Sequence, residues 1–466
     1  MALLSFISLA LAAIFASTAT AAPAGPTLQK RALPPSLDPF YDPPAGFESA
    51  EPGTIFKNRT VVASFLGTLP VPVETYQLLY RSTAIDGSAI AEVTTIFVPE
   101  GAATDRFVSF QTAYDSANTI CNPSYQYQLG AIQVTLITAI EQLILQLYLA
   151  EGYIVSSSDY EGPDAAFGTG RLAGTGTLDS MRAVRDFSTL GLDDNPMIAG
   201  VGYSGGAIAT GWAASLQPSY APELNIRGWT AGGTPANLTG TAVFVDNTIF
   251  SGFLPAAIVG LSQPSSYGEA LNPLIDRVIT PYGRSVLNFA EQNCAPADIL
   301  AFASQSVFST RVQSLGFDIL YDPVFSPILQ QNTMGLFANE TPTAPVFLYH
   351  ASNDEIIPYR NATTLRDSWC DFGADVKFTT YANGGHFSTE ILGAVGQVQF
   401  ANAAFEGTTS SGCSENTVLD NELNPVALGA SLEPILTNLL TALTNIGEND
   451  ETLKNNLNFI EENPME

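Results

Sequence analysis

Ser204 stands in Gly202-Tyr203-Ser204-Gly205-Gly206, a Gly-x-Ser-x-Gly pentapeptide between a short apolar run, Met197 to Val201, and a small-residue, helix-compatible segment. Strand, tight turn and helix in that order describe a nucleophile elbow. The glycines have a steric reason: only small neighbours let a strand and a helix approach closely around a strained serine. A serine hydroxyl is a poor nucleophile at neutral pH. It needs a base, and the base needs an orienting acid. The chain has two histidines, His350 and His386. His350 ends an apolar run and reads as structural, whereas His386 follows the last core strand in a Gly-rich loop and is the expected base. Asp354, just after the preceding strand, is the expected acid, with Glu355 as the alternative. Asp318, Asp322, Asp371 and Asp375 read as surface or turn carboxylates. The order Ser204, Asp354, His386 suits an elbow on a parallel sheet. The chemistry is acyl transfer: Ser204 attacks an acyl carbonyl, His386 moves the proton, Asp354 holds the imidazole, and water releases the acid. The amide of Gly205, at a helix start, faces the developing oxyanion. A second donor is expected after an earlier strand, where Tyr114-Asp115-Ser116 follows Phe107 to Gln111.

These residues need a scaffold, and the apolar patterning supplies one. Residues 32 to about 55 read as an extended Pro-rich arm. Glu74 to Arg81 and Ala91 to Val98 read as strands, joined through the turn Asp86-Gly87. Tyr153 to Ser158, Arg227 to Ala231, Ala344 to His350 and Val376 to Tyr381 continue the strands, the last as the final core strand. Leu129 to Leu149 is apolar enough to suggest a membrane span, but Gln133, Glu141, Gln142 and Gln146 interrupt it, which favours a buried or covered helix. Helices are also predicted at Leu178 to Phe187 and Thr363 to Phe372. The Gly-rich stretch 168–176 lacks Gly-x-Gly-x-x-Gly and predicts no dinucleotide site. Alternating strands and helices predict a mainly parallel α/β sheet. Between about 237 and 342 the alternation breaks into helix-like segments, expected to cap the catalytic edge.

Composition restricts the partners. With 45 acidic against 17 basic residues, the net charge of −28 argues against nucleic acid and against anionic membranes held by charge. Residues 1–21 read as a secretory signal peptide, with an apolar run and the small-x-small site Ala19-Thr20-Ala21. Lys30-Arg31 marks a processing site for a propeptide at 22–31. Cys121, Cys294, Cys370 and Cys413 contain no Cys-x-x-Cys, so disulfides are expected rather than a metal site. Of the three possible pairings, Cys121–Cys294 with Cys370–Cys413 is favoured because the second closes a local loop. Sequons at Asn58, Asn237, Asn339 and Asn361 agree with a secretory, extracellular route and glycosylation.

Several segments in order carry a resemblance to a family. Tyr114-Asp115-Ser116, Cys121 with Pro123-Ser-Tyr-Gln, Asp159-Tyr-Glu-Gly-Pro163, Gly202 to Ala207, His350 leading to Asp354-Glu-Ile-Ile-Pro358, and Gly385-His386-Phe387 resemble the fungal secretory lipases of the Candida antarctica lipase A type. The likeness runs from about residue 40 to 430. It implies an α/β-hydrolase core, read here as 32–236 and 343–430, with a helical lid inserted at 237–342; the expected C-terminal tail at 431–466 lies beyond the likeness. It places the nucleophile at Ser204, the acid at Asp354, the base at His386 and the oxyanion amides at Asp115 and Gly205. The disulfide pairing it implies is the one favoured above. The expected protein is a secreted, monomeric serine lipase that meets ester or lipid at a lipid–water interface. No metal, organic cofactor or transmembrane anchor is expected. A carboxylesterase or acyltransferase with the same triad is the first alternative, ahead of a serine peptidase and a non-catalytic binding protein.

Overall fold

A computed structural model describes residues 31–135 and 137–419. The expected signal peptide, all but Arg31 of the expected propeptide, the last stretch of the second core segment and the tail at 431–466 lie outside the described residues. The arm is not merely extended. It forms two 3-10 turns, Pro35–Leu37 and Phe47–Ser49. Arg59 pairs with its Asp38 at 2.6 Å, and Phe40, Tyr41 and Phe47 pack on Leu79, Ala91 and Val93 of the sheet.

The chain then runs through β1 (Ile55–Val61), the short hairpin β2 (Ser64–Phe65) and β3 (Leu69–Pro70), β4 (Glu74–Thr83), β5 (Ala89–Val98) and β6 (Arg106–Gln111). Next come the one-turn helix α1 (Pro123–Gln126), α2 (Ile137–Ala150), β7 (Ile154–Ser158), α3 (Gly170–Asp186), β8 (Met197–Tyr203), α4 (Gly205–Tyr220) and β9 (Ile226–Gly232). Six helices follow without a strand: α5 (Leu238–Val245), α6 (Phe253–Leu261), α7 (Gly268–Val278), α8 (Pro281–Ala290), α9 (Ala295–Phe302) and α10 (Phe325–Gln331). Alternation resumes with β10 (Val346–Ala351), α11 (Tyr359–Asp371), β11 (Val376–Tyr381), α12 (His386–Glu406) and β12 (Ser414–Val418).

The main sheet has the order β1-β4-β5-β7-β6-β8-β9-β10-β11-β12. Strands β1, β4 and β5 pair antiparallel, and all pairings from β7 through β12 are parallel. One face is covered by α3, α4 and α11 through Leu178, Met181, Trp212, Leu365 and Trp369. The other is covered by α2 and α12 through Leu143, Tyr148, Ile391 and Phe400. This is the α/β-hydrolase arrangement. The elbow strand β8 lies in the middle of the sheet, where both faces are covered and the backbone is held from both sides.

Three elements depart from the expectations, each for a physical reason. Helix α3 begins eight residues before the predicted Leu178 and takes in the Gly-rich stretch. Glycine disfavours a helix by about 1 kcal/mol per residue, but a Cβ on Gly170 or Gly174 would collide with Trp212, and one on Gly176 with the Glu92 carboxyl. Close packing of α3 on α4 therefore outweighs propensity. Helix α12, not predicted, is buried on nearly all sides and shows no amphipathic stripe. Strand β12 is not predicted either, and β11 is accordingly not the last strand: Ser414–Val418 is polar and exposed, an edge strand paired to Lys377–Tyr381. Cys370–Cys413 fastens it to α11, as expected from the pairing.

Cys121–Cys294 joins the segment after β6 to the start of α9, across 173 residues. By chain entropy alone a loop of that size is worth about 5 kcal/mol. Beside it Ala295 N donates to Ser116 Oγ at 3.0 Å, so the Tyr114–Ser116 loop is anchored to the helical segment. Among the described residues no helix is long and apolar enough to cross a membrane.

Gly174→Ala tests the packing account of α3. The added Cβ meets the Trp212 backbone carbon at 2.8 Å, and a loss of about 1–3 kcal/mol in urea unfolding is expected despite alanine's better helix propensity. An unchanged or higher midpoint would contradict it.

Candidate active site

Ser204 sits between β8 and α4 with φ 52° and ψ −119°, a left-handed backbone conformation that L-residues rarely adopt. Three glycines make this possible. A Cβ on Gly202 would lie 2.3 Å from Gly206 O, one on Gly206 1.9 Å from Gln111 O, and one on Gly205 1.7 Å from Asp115 Oδ1. The turn is fixed further by Ser204 N donating to Gly232 O at 2.9 Å.

The elbow brings Ser204 Oγ to 2.7 Å from His386 Nε2. His386 Nδ1 lies 2.7 Å from Asp354 Oδ2. Asp354 Oδ1 accepts from the amides of Ile356 and Ile357 at 2.9 and 2.7 Å, which fixes the carboxyl plane. With Nδ1–H directed at the carboxylate, Nε2 is left as the acceptor facing the serine. His386 is not in a loop but is the first residue of α12. Its carbonyl accepts from Tyr203 Oη at 2.6 Å, and its amide donates to Glu355 Oε2 at 2.9 Å. Of the two candidate acids, therefore, Asp354 meets the imidazole and Glu355 holds the backbone behind it.

His350 is fully buried, with Nε2 3.0 Å from Ile357 O and 3.3 Å from Asp354 Oδ2. A carbonyl partner requires the proton on Nε2, so His350 adds a donor behind the acid. Sequence reading missed this contact, although the two residues are only four positions apart.

Charges in this site are set by burial and by one another. Burial disfavours the His386 imidazolium, but the charge and hydrogen bond of Asp354, with Glu355 and Glu390 beyond, raise it above the ordinary histidine value. Burial would raise Asp354, yet His386, His350 and the Ile357 amide bring it below the usual carboxylate range. His350 is lowered by burial, against the pull of Asp354 and the Ile357 carbonyl.

Asp115 has φ 48° and lies against Gly205 at the start of α4. Burial pushes its carboxyl up to about 7, partly countered by His386. Ser204, Gly205 and Asp115 line an apolar cavity. Its other walls are Leu238, Val245, Leu254, Leu274 and Leu320 of the segment between β9 and β10, with Ile356. Sequence reading did not locate this cavity, because its lining is scattered over six α-helices, a 3-10 helix and several loops.

The sequons divide. Asn58, on edge strand β1, and Asn339 are exposed. Asn237 caps α5 by accepting from Gly240 N at 2.9 Å, and Asn361 donates to Asn237 O at 3.3 Å.

Residues 127–412 match the family model described as secretory lipase. A secreted triacylglycerol lipase of Malassezia furfur is 42% identical over 407 residues, 86% of this chain and 83% of that protein. The crystal structure of Candida antarctica lipase A in its closed state superposes with a TM-score of 0.79 at 32% identity, covering 88% of this chain and 96% of that one. A rice cell wall degrading esterase from Xanthomonas oryzae shares the fold at 18% identity, with a TM-score of 0.59 over 77% of this chain and 100% of that one.

With two histidines in the chain, NMR of the imidazole protons reads each separately. One titration above and one below the ordinary value of about 6.5 is expected, assigned to His386 and His350. Glu355→Gln removes a neighbouring negative charge and should move only the upper titration downward. Two titrations together at the ordinary value would contradict the electrostatic account.

Proposed function

The chain belongs to the secretory lipase family, and from that membership we propose that it is a secreted serine lipase that hydrolyses triacylglycerol esters through an acyl-enzyme. The observation that carries this reading is the relay Ser204–His386–Asp354, with 2.7 Å at each step, opening into an apolar cavity. Ser204 Oγ attacks the ester carbonyl carbon while His386 Nε2 takes its proton. The carbonyl electron pair moves onto oxygen, where the amides of Gly205 and Asp115 stabilise the negative charge. Collapse breaks the ester C–O bond, and the leaving alcohol takes the proton from His386. Water then repeats the sequence on the acyl-Ser204 ester and frees the fatty acid. Asp354 keeps the imidazole in its tautomer and stabilises the transient imidazolium.

The segment 237–342 is the lid or cap in this reading. Its inner apolar side chains line the cavity and suit a long acyl chain. Its outer face exposes Val243, Phe244, Ile249, Phe317 and Tyr321, with Leu300 80% exposed. Since the net charge is −28, attachment to a lipid surface rests on such apolar contacts rather than on charge. Exposure favours Asn58 and Asn339 as the glycosylated sequons, since modification of Asn237 would disturb its helix cap.

The test compares p-nitrophenyl butyrate with emulsified triolein. Ser204→Ala is expected to lose both activities by at least about 10³-fold. Leu274→Trp, which enlarges a side chain of the cavity wall, should lower triolein hydrolysis about tenfold or more while changing butyrate hydrolysis by less than about twofold. Activity that survives Ser204→Ala would overturn the mechanism. Equal losses on both esters in Leu274→Trp would overturn the acyl-chain role of the cavity.

A further inference from the structure

Among the buried ionisable side chains that the reaction above does not use are Glu141 and Glu390. Glu141 of α2 is 2% exposed and Glu390 of α12 is 6% exposed. Glu141 Oε2 and Glu390 Oε1 are both buried with no donor reaching them, and the two carboxyls face each other closely enough that each shifts the other's titration. Ionised carboxylates are acceptors only, so this contact requires a proton shared between them. Glu141 Oε1 also accepts from Ala113 N at 3.4 Å, two residues before Asp115. Glu390 lies four residues after His386 on the same helix and therefore on the same face. The pair spans the gap between the loop expected to supply an oxyanion donor and the helix that carries the base.

We propose that Glu141 and Glu390 are positioning residues, a proton-sharing clamp that holds the Ala113–Asp115 loop against the His386 helix during acyl transfer. The clamp rests on the reading of Ser204 and His386 given above. With one shared proton the pair carries a single negative charge, and Glu390 favours the His386 imidazolium. Losing that proton sets two carboxylates against each other in a buried space, and like charges there separate. The loop then loses its register with the base.

The surroundings make the proton hard to lose. Burial raises both groups above the ordinary carboxylate range; for Glu141 the charge of Glu390 adds to it, and for Glu390 the contact with Glu141 partly offsets it. The charged groups facing the pair are Asp115 from the loop and His386 on α12. The hydroxyls of Tyr127, Tyr148, Tyr160, Tyr203 and Tyr349 also feel its charge. The sign for stability follows. Above the unfolded carboxylate value the folded state binds more protons than the unfolded one, so the pair's contribution falls as pH rises from there through the raised values.

The test uses the full chain on p-nitrophenyl butyrate, with Glu141→Gln, Glu390→Gln and Glu141→Ala. At position 141 glutamine can accept from Ala113 N and donate to Glu390, but it cannot lose a proton. The ratio of Glu141→Gln to wild-type kcat is expected to rise by at least about threefold between about pH 6 and 8, and Glu390→Gln should behave alike. Glu141→Ala should lower kcat about tenfold or more with KM nearly unchanged, and Glu141→Gln should restore it. A flat ratio overturns the shared proton, and a wild-type kcat in Glu141→Ala overturns the positioning role. If Glu141→Ala does not fold, the glutamine ratios decide. Failure of the underlying mechanism reads out separately, as activity that survives Ser204→Ala.

Discussion

The backbone at Ser204 is the constraint on which the rest depends. A serine held at φ 52° is strained, and the strain persists only where its surroundings over-determine it. Here they do so by close approach. Gly202 lies against Gly206, Gly206 against Gln111 O, and Gly205 against the Asp115 carboxyl. The last two contacts tie the elbow to β6 and to the loop beyond it. The turn that presents the nucleophile therefore also sets where the opposing loop can lie. That loop is held from behind by Ala295 N on Ser116 Oγ and by the Cys121–Cys294 bridge. A single backbone geometry thus couples the elbow, the loop proposed to supply the second oxyanion donor and the helical segment lining the cavity.

Charge follows the same economy of space. His386, Asp354 and Asp115 are nearly sealed from water, where isolated charges are costly and paired ones interact strongly. Asp354 is satisfied by two amides and an imidazole and stays ionised, whereas Asp115 has an oxygen without a partner and is pushed up to about 7. Two aspartates of one site thereby differ in how readily they take a proton, because one has donors and the other is governed mainly by burial. The apolar cavity opens beside them at Ser204 and Asp115.

Much of this was legible in the sequence, and the legible parts share a character. The elbow could be read because its steric demand forces glycines at fixed offsets. Asp354 and His386 could be read because the chain has few histidines and the strands before both residues are short runs rich in aromatic, aliphatic or β-branched residues. The parallel sheet followed from alternation. What stayed hidden depends on tertiary contact. The helical glycines of α3 look like a loop until Trp212 is seen filling the space against Gly170 and Gly174. Helix α12 has no polar face to reveal its period. Strand β12 is made by its pairing with β11 and its disulfide rather than by its own residues. The contact of His350 with Asp354, and of Glu141 with Glu390, joins residues whose types alone suggest nothing. The cavity is assembled from single side chains of many elements, which no local pattern records.

The central claim is that Ser204, activated by His386, is the acyl-accepting atom. Its most direct test is covalent. The full chain would be treated with a p-nitrophenyl alkylphosphonate, the released p-nitrophenol counted, and the adduct located by peptide mass spectrometry. One equivalent released per chain, with the phosphonyl group on Ser204 and loss of ester hydrolysis in proportion, is the expected result. An adduct on another residue, or full activity in the Ser204-modified protein, would contradict the claim.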